Sequence, residues 1–235
     1  QQNIMAVKKK KKAIRGFGAV VAVAAALWIF LFLPPPDFEI PFSSALSAAD
    51  QKYLTELKRK YSGASRTLSE AQAREVIANA CSFIEEAKGT KNIYDTPAAR
   101  ELLFGTACTE SGLRPRFQDS NGTAIGMFQV EFATFKDLWN RAIKIKHPEL
   151  YSAIAGKYST QNGGITFEDL QTSDELCAVF ARMKYAENNE PIPPSTDIKA
   201  QANYYKKHYN TRLGKAKPLD FIKRRAEVLK RERSR

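Results

Sequence analysis

The chain has 235 residues, 43% of them hydrophobic, and a formal net charge of +12; this apolar content supports a buried core and excludes a chain too polar to fold. Three cysteines exclude a fully paired secreted disulfide framework, leaving buried free thiols or one bridge among Cys81, Cys108 and Cys177. Residues 1–15 carry +6 and residues 206–235 carry +9, leaving −3 between them, so the basic balance describes two ends and not a central cleft.

Lys8 to Lys12 and Arg15 precede Gly16–Leu33, an uncharged apolar run of 18 residues. As a helix it spans about 27 Å, close to the roughly 30 Å of a bilayer core. Trp28 falls near the far end, where aromatic rings favour the interface, and Pro34–Pro36 stop the helix. The reading is a basic cytoplasmic N-terminus (1–15), a transmembrane anchor (16–33) and a remainder sent across the membrane to the extracytoplasmic, periplasmic side. A cleaved signal peptide is the alternative, although the nearest small-residue segment, SALSAAD, lies well beyond Leu33. Residues 34–65 read as a Pro-rich spacer followed by a short polar helix in SAADQKYLTELKRKYSG, ending at Gly63 and serving as a stalk or a peripheral element.

Residues 66–235 read as one mainly α domain with a small β-hairpin element. Thr67 and Glu70 form a capping-box pattern ahead of a helix that ends at Gly89. Thr96 and Pro97 open a second helix, AARELLFGTACTE. The loop RPRFQDSNGT leads to AIGMFQV, too short and Gly-broken for a helix and read as a hairpin arm. FATFKDLWNRAIKIK and HPELYSAIAGKY are amphipathic helix candidates. Thr172 and Glu175 suggest a second capping box before DELCAVFARMKYAENN. Pro191, Pro193 and Pro194 break the chain before the last two helices, STDIKAQANYYKKHYN and the basic KPLDFIKRRAEVLKRER. This basic helix reads as a solvated face, or as a contact for anionic lipid or another acidic polymer. It has no aromatic interleaving and no nucleic-acid motif, so no specific nucleic acid is expected. His147 and His208 lack ligand spacing, and no metal or other cofactor is expected.

Glu110 stands out. Ala99, Leu103 and Ala107 mark the buried face of the second helix, and Glu110, seven residues after Leu103, lies on nearly the same face. Burial disfavours the charged form of a carboxyl and raises its pKa, which is what a general acid near neutral pH requires. The alternatives are an ion pair with Arg100 or Arg114, or a helix-end residue reaching solvent.

The surroundings of Glu110 resemble the soluble lytic transglycosylase and goose-type lysozyme family. Its pattern is Glu-Ser-Gly, a few residues including Pro, then Ser-x-x-Gly-Ala-x-Gly-Leu-Met-Gln and a later Thr. Glu110, Ser111, Gly112 and Pro115 match the first block; Ser120, Ala124, Gly126, Gln129 and Thr134 match the second. Met127 and Phe128 stand where Leu-Met is usual, Thr123 replaces a usual Gly, and Phe132 replaces a common Pro. Tyr209 and Asn210 match a Tyr-Asn whose tyrosine reaches the catalytic glutamate, with Gly214 as a displaced glycine; packing is the competing role for Tyr204, Tyr205 and Tyr209.

The resemblance implies a lysozyme-like α fold that cleaves MurNAc-β-1,4-GlcNAc linkages of peptidoglycan strands. Glu110 is then the catalytic residue, with Ser111, Gly126, Met127, Phe128, Gln129, Tyr209 and Asn210 around the substrate. Gly126 would let backbone approach the sugar, Met127 and Phe128 would wall the ring, and Gln129 would orient substrate or acid. Family members work with one glutamate, which leaves 1,6-anhydro ends. Hydrolysis is the runner-up, with Asp119, Glu131 and Asp137 as candidate second carboxylates. A non-catalytic, membrane-tethered wall-binding protein is the remaining alternative. An anchored wall-cutting enzyme suits an envelope-spanning or virion assembly, with membrane lipid as the partner of residues 16–33.

Overall fold

The structure, a computed structural model, describes residues 46–61, 66–118, 122–159, 164–210 and 214–234. The basic N-terminus, the anchor run and the Pro-rich part of the spacer lie outside the described residues, as do Asp119 and Ser120. The chain divides into Gln1–Ala45 and Leu46–Arg235, and the second unit alone is described below. Among the described residues no helix is long and apolar enough to cross a membrane.

The unit is mainly helical, as expected. Its elements are α1 (Ala48–Tyr61), α2 (Glu70–Lys88), α3 (Pro97–Glu110), β1 (Arg116–Phe117), β2 (Ala124–Gly126) and β3 (Val130–Glu131). There follow α4 (Phe132–Asp137), a π-helical segment (Leu138–Ile143), α5 (Lys144–Lys146), α6 (Pro148–Tyr158), α7 (Asp169–Thr172) and α8 (Asp174–Ala186). α9 (Ile198–Tyr205) runs into a second π-helical segment (Lys206–Asn210), and α10 (Pro218–Arg233) ends the unit. The strands form one antiparallel sheet in the order β1-β2-β3, with Arg116 opposite Gly126 and Ile125 opposite Val130.

α3 is the central helix. Every residue from Leu102 to Cys108 is buried, the mark of a helix packed on all sides. α2 packs on α8, and α10 packs on α3. At the α3–α10 crossing the Phe221 ring fills the notch over Gly105, where an added Cβ would fall 2.0 Å from the ring. Burying such a ring contributes ~1.5–3 kcal/mol. Glu101 joins three helices, accepting from Arg74 (2.5 Å) and Arg225 (2.8 Å).

The start of the folded unit differs from the sequence expectation. The helix expected to be a stalk buries Leu54 and Leu57 in the common core, and Lys60 and Tyr61 hold Glu168 at 2.5 and 2.6 Å. The caps also shift. Ser69, with Gln72, caps α2 in place of Thr67 with Glu70, because buried Leu68 is tied as extended chain by its N–H to the Leu113 carbonyl (3.0 Å). Ser173 caps α8 in place of Thr172, which is used as the last residue of α7. Gly89 does end α2, in a left-handed conformation, and Thr96 caps α3 through Ala99 N–H (3.1 Å). Cys81, Cys108 and Cys177 are buried free thiols, and burial pushes each up to about 12.

One clasp frames α2. The Glu85 carboxylate accepts the N–H groups of Ile93, Tyr94 and Asp95 and the Thr90 hydroxyl. From α8, Arg182 takes the carbonyls of Tyr94 (2.9 Å) and Ile93 (3.0 Å). The loop between α2 and α3 is therefore held by a carboxylate on its donors and a guanidinium on its acceptors.

Candidate active site

Glu110 is the last residue of α3. Its carboxyl is crowded by protein, though the residue keeps some accessible surface. The Tyr205 hydroxyl, at the end of α9, donates to Oε1 at 2.7 Å. Burial pushes the Glu110 carboxyl up to about 7, against the Tyr205 hydrogen bond and the positive charge of Lys184, both of which favour the carboxylate; the nearby Glu131 charge adds to the rise. Neither expected arginine claims the acid. Arg100 forks onto Asp95 at 2.5 and 2.6 Å, and Arg114 is exposed. Glu110 is thus a desolvated acid held by one neutral donor, able to give up a proton near neutral pH.

Beside the acid, the chain turns through Gly112 (φ 63) and Leu113 (φ 64) into the sheet. The hairpin that follows is hydrogen-bonded through a side chain at every residue of Gly126–Gln129. Gly126 N–H donates to Gln171 Oε1 (3.1 Å), and Ser111 Oγ donates to the Met127 carbonyl (2.7 Å). The Tyr209 hydroxyl donates to the Phe128 carbonyl (2.8 Å). Gln129, at φ 47, donates from Nε2 to the Arg116 and Gly126 carbonyls, both at 2.9 Å.

These contacts correct the roles expected from sequence. Gly126 (φ +79) is glycine because a Cβ would lie 2.5 Å from the Leu170 carbonyl and 2.7 Å from Cys177 Sγ; helix packing, not sugar approach, excludes a side chain there. Met127 and Phe128 are fully buried, so their side chains back the hairpin and cannot wall a sugar ring. The Ser111 hydroxyl and the Gln129 amide nitrogen bind hairpin carbonyls and so position the turn. The tyrosine that meets the acid is Tyr205, not Tyr209. Tyr209 lies one turn further on, is buried, and stacks its ring 6.1 Å from that of Tyr205. Asn210 lies in the turn after Tyr205 and accepts from Lys206 Nζ (2.9 Å). Gly214 packs on Asn210, where a Cβ would meet the Asn210 side chain at 2.3 Å.

Two residues near the acid, Tyr205 and Lys184, were not among the site residues expected from sequence, and of the candidate second carboxylates Glu131 acts on it. Tyr205 sits four residues before Tyr209, on the same helical face. Lys184 lies in the apolar stretch CAVFARMKYA, the same signal of a charge among core positions that marked Glu110. Glu131 is the carboxylate whose charge acts on Glu110, whereas Asp137 is forked to Arg141 at 2.6 and 2.7 Å. Among the described residues no cluster of His, Cys, Asp or Glu is arranged to hold a metal ion.

No protein-family model, no curated protein and no solved structure matches this chain. The site therefore rests on its own geometry: a desolvated carboxylic acid, a tyrosine hydroxyl on one of its oxygens, and a hairpin pinned beside it.

Proposed function

We propose that this protein cleaves the glycan strands of peptidoglycan as a lytic transglycosylase, with a lysozyme-like α fold and Glu110 as its acid and base. The observation that carries the reading is the desolvated Glu110 carboxyl, raised to about 7 and held by Tyr205. In the first step Glu110 gives its proton to the glycosidic oxygen as the C1–O bond breaks, and the substrate's own 2-acetamido group takes up the charge at C1. The leaving strand departs with that proton. The Glu110 carboxylate then takes the proton of the 6-hydroxyl of the same sugar as O6 bonds to C1 and the acetamido oxygen leaves it, restoring the neutral 2-acetamido group. The product is a 1,6-anhydro end, no water is consumed, and Glu110 is again protonated. Tyr205 fixes the carboxyl in both states, and the pinned hairpin supplies a rigid edge beside it.

A second reading, hydrolysis of the same bond, is favoured by Glu131, an exposed carboxylate whose charge reaches Glu110. Water activated there would attack C1 and give a reducing end. In either reading the N-terminal apolar run would hold the enzyme on the membrane face next to the wall, as local opening during assembly of an envelope-spanning or virion machine requires.

The test is zymography and mass spectrometry on purified sacculi. The full chain is expected to clear sacculi and leave anhydro ends, and Glu110→Gln is expected to clear none. Undiminished lysis by Glu110→Gln removes the assignment, reducing ends select the hydrolytic reading, and sacculus binding without clearing by the unaltered chain replaces both with a binder.

A further inference from the structure

Lys184 lies in the last turn of α8, after an unbroken buried run from Leu176 to Met183. Its ammonium donates to the Tyr209 carbonyl at 2.8 Å and sits 4.0 Å from the centre of the Tyr209 ring. Among the described residues it forms no ion pair with a carboxylate; the acids that feel its charge are Glu110 and Glu131. The last carbonyls of a helix lack an intrahelical donor, and a lysine near a helix end commonly supplies one. A lysine serving only that purpose keeps its ammonium in water. Lys184 instead turns inward, onto the π-helical segment that directly follows Tyr205.

We propose that Lys184 is a positioning residue of the Glu110 site: it tethers the turn after Tyr205 through the Tyr209 carbonyl and fixes a positive charge against Glu110 and Glu131. The inference rests on the glycan-cleaving reading above. The tether keeps the Tyr205 hydroxyl on the acid. The charge favours the carboxylate that Glu110 becomes after protonating the leaving oxygen. The groups facing Glu110 are Tyr205 from α9, Tyr209 from the π-helical segment, Tyr185 and Lys184 from α8, Glu131 from β3 and Arg116 from β1. Of the two cations, Lys184 acts the more strongly.

Tether and charge separate by substitution. Lys184→Gln keeps a donor and loses the charge; Lys184→Met loses both; Lys184→Arg keeps both. In the full chain, the Glu110 midpoint is read by carbon NMR of labelled glutamate side chains, its resonance identified by disappearance in Glu110→Gln. Lys184→Gln should move that midpoint up by about one pH unit, and the alkaline limb of kcat/KM on sacculi should move with it. Lys184→Met should show the same shift and lose a further factor of about ten in kcat as Tyr205 loosens. Lys184→Arg should keep the midpoint of the unaltered chain. A midpoint that stays put in folded Lys184→Gln overturns the inference, and that variant decides alone if Lys184→Met does not fold. If the unaltered chain clears no sacculi while the midpoint still moves, the charge coupling stands and the glycan reading falls. If it clears sacculi and the midpoint is unmoved, the reading stands and the role of Lys184 falls.

Discussion

Two glutamates close to the ends of successive helices meet opposite fates. Glu85, near the end of α2, is 8% exposed. Burial pushes its carboxyl up, but the Thr90 hydroxyl and the Asp95, Ile93 and Tyr94 amides outweigh that and hold it down at about 2. Glu110, at the end of α3, has one donor among the described residues, Tyr205, and burial carries it up to about 7. Removal from water alone does not decide which form a carboxyl takes; the donors and charges aimed at it weigh against burial. One end of the helix pair is built to keep a charge, the other to keep a proton.

The largest test of that contrast is to delete each carboxylate. Glu85→Ala leaves three loop amides without their acceptor and should lower unfolding free energy at pH 7 by about 3 kcal/mol, read by urea denaturation. Glu110→Gln should do the reverse. In the unaltered chain the folded state holds the Glu110 proton more tightly than the unfolded state, so this group's contribution is full below about pH 4.5 and lost as pH rises through about 7. At pH 8 the Gln variant should therefore be the more stable by about 2 kcal/mol, and the gain should vanish by about pH 4. For Glu85 the sign is opposite: its contribution is present above about pH 4.5 and lost as pH falls through about 2. Equal losses in both variants at pH 8 would erase the distinction between a structural and a chemical glutamate.

Glu110 was legible in sequence because a carboxylate in register with Ala99, Leu103 and Ala107 breaks an apolar face, and burial then dictates its chemistry. The helix boundaries at Thr96 and Gly89 were legible because each depends on local geometry. The caps at Ser69 and Ser173 were not, because Thr67–Glu70 and Ser69–Gln72 offer equivalent pairs three residues apart. The tie from Leu68 to Leu113, a tertiary contact, chooses between them. Tyr205 and Tyr209 share one face, so spacing cannot say which reaches the acid; the switch to π-helical winding after Tyr205 separates them. Likewise, Gly126 reads as a sugar-side glycine until α7 and α8 are seen packed against it.

A smaller effect sharpens the contrast from the Glu110 side. Tyr205→Phe removes the hydroxyl that donates to Glu110 and favours its carboxylate, so the Glu110 midpoint should climb by about one pH unit. The alkaline limb of activity should follow, and cleavage at pH 7 should fall by about tenfold as the acid loses its fixed orientation. An unchanged midpoint would mean that the Tyr205 hydroxyl has no hold on Glu110 and that donors do not explain the contrast with Glu85.

The smallest expected shift separates the two chemistries. Glu131 is exposed, so water and salt screen its charge, and Glu131→Gln should lower the Glu110 midpoint by only a few tenths of a pH unit at low ionic strength. At about 1 M salt that difference should disappear, because the screening length shortens to about 3 Å. The product analysis is the sharper readout. A one-carboxylate mechanism needs Glu131 for nothing but this weak field, so Glu131→Gln should keep its anhydro products and nearly all of its rate. A hydrolytic mechanism needs Glu131 to activate water, so the same substitution should cost about a hundredfold or more. Rate loss with a barely moved Glu110 midpoint would make Glu131 a catalytic residue, and this end of the molecule would then hold a pair of working carboxyls where one is proposed.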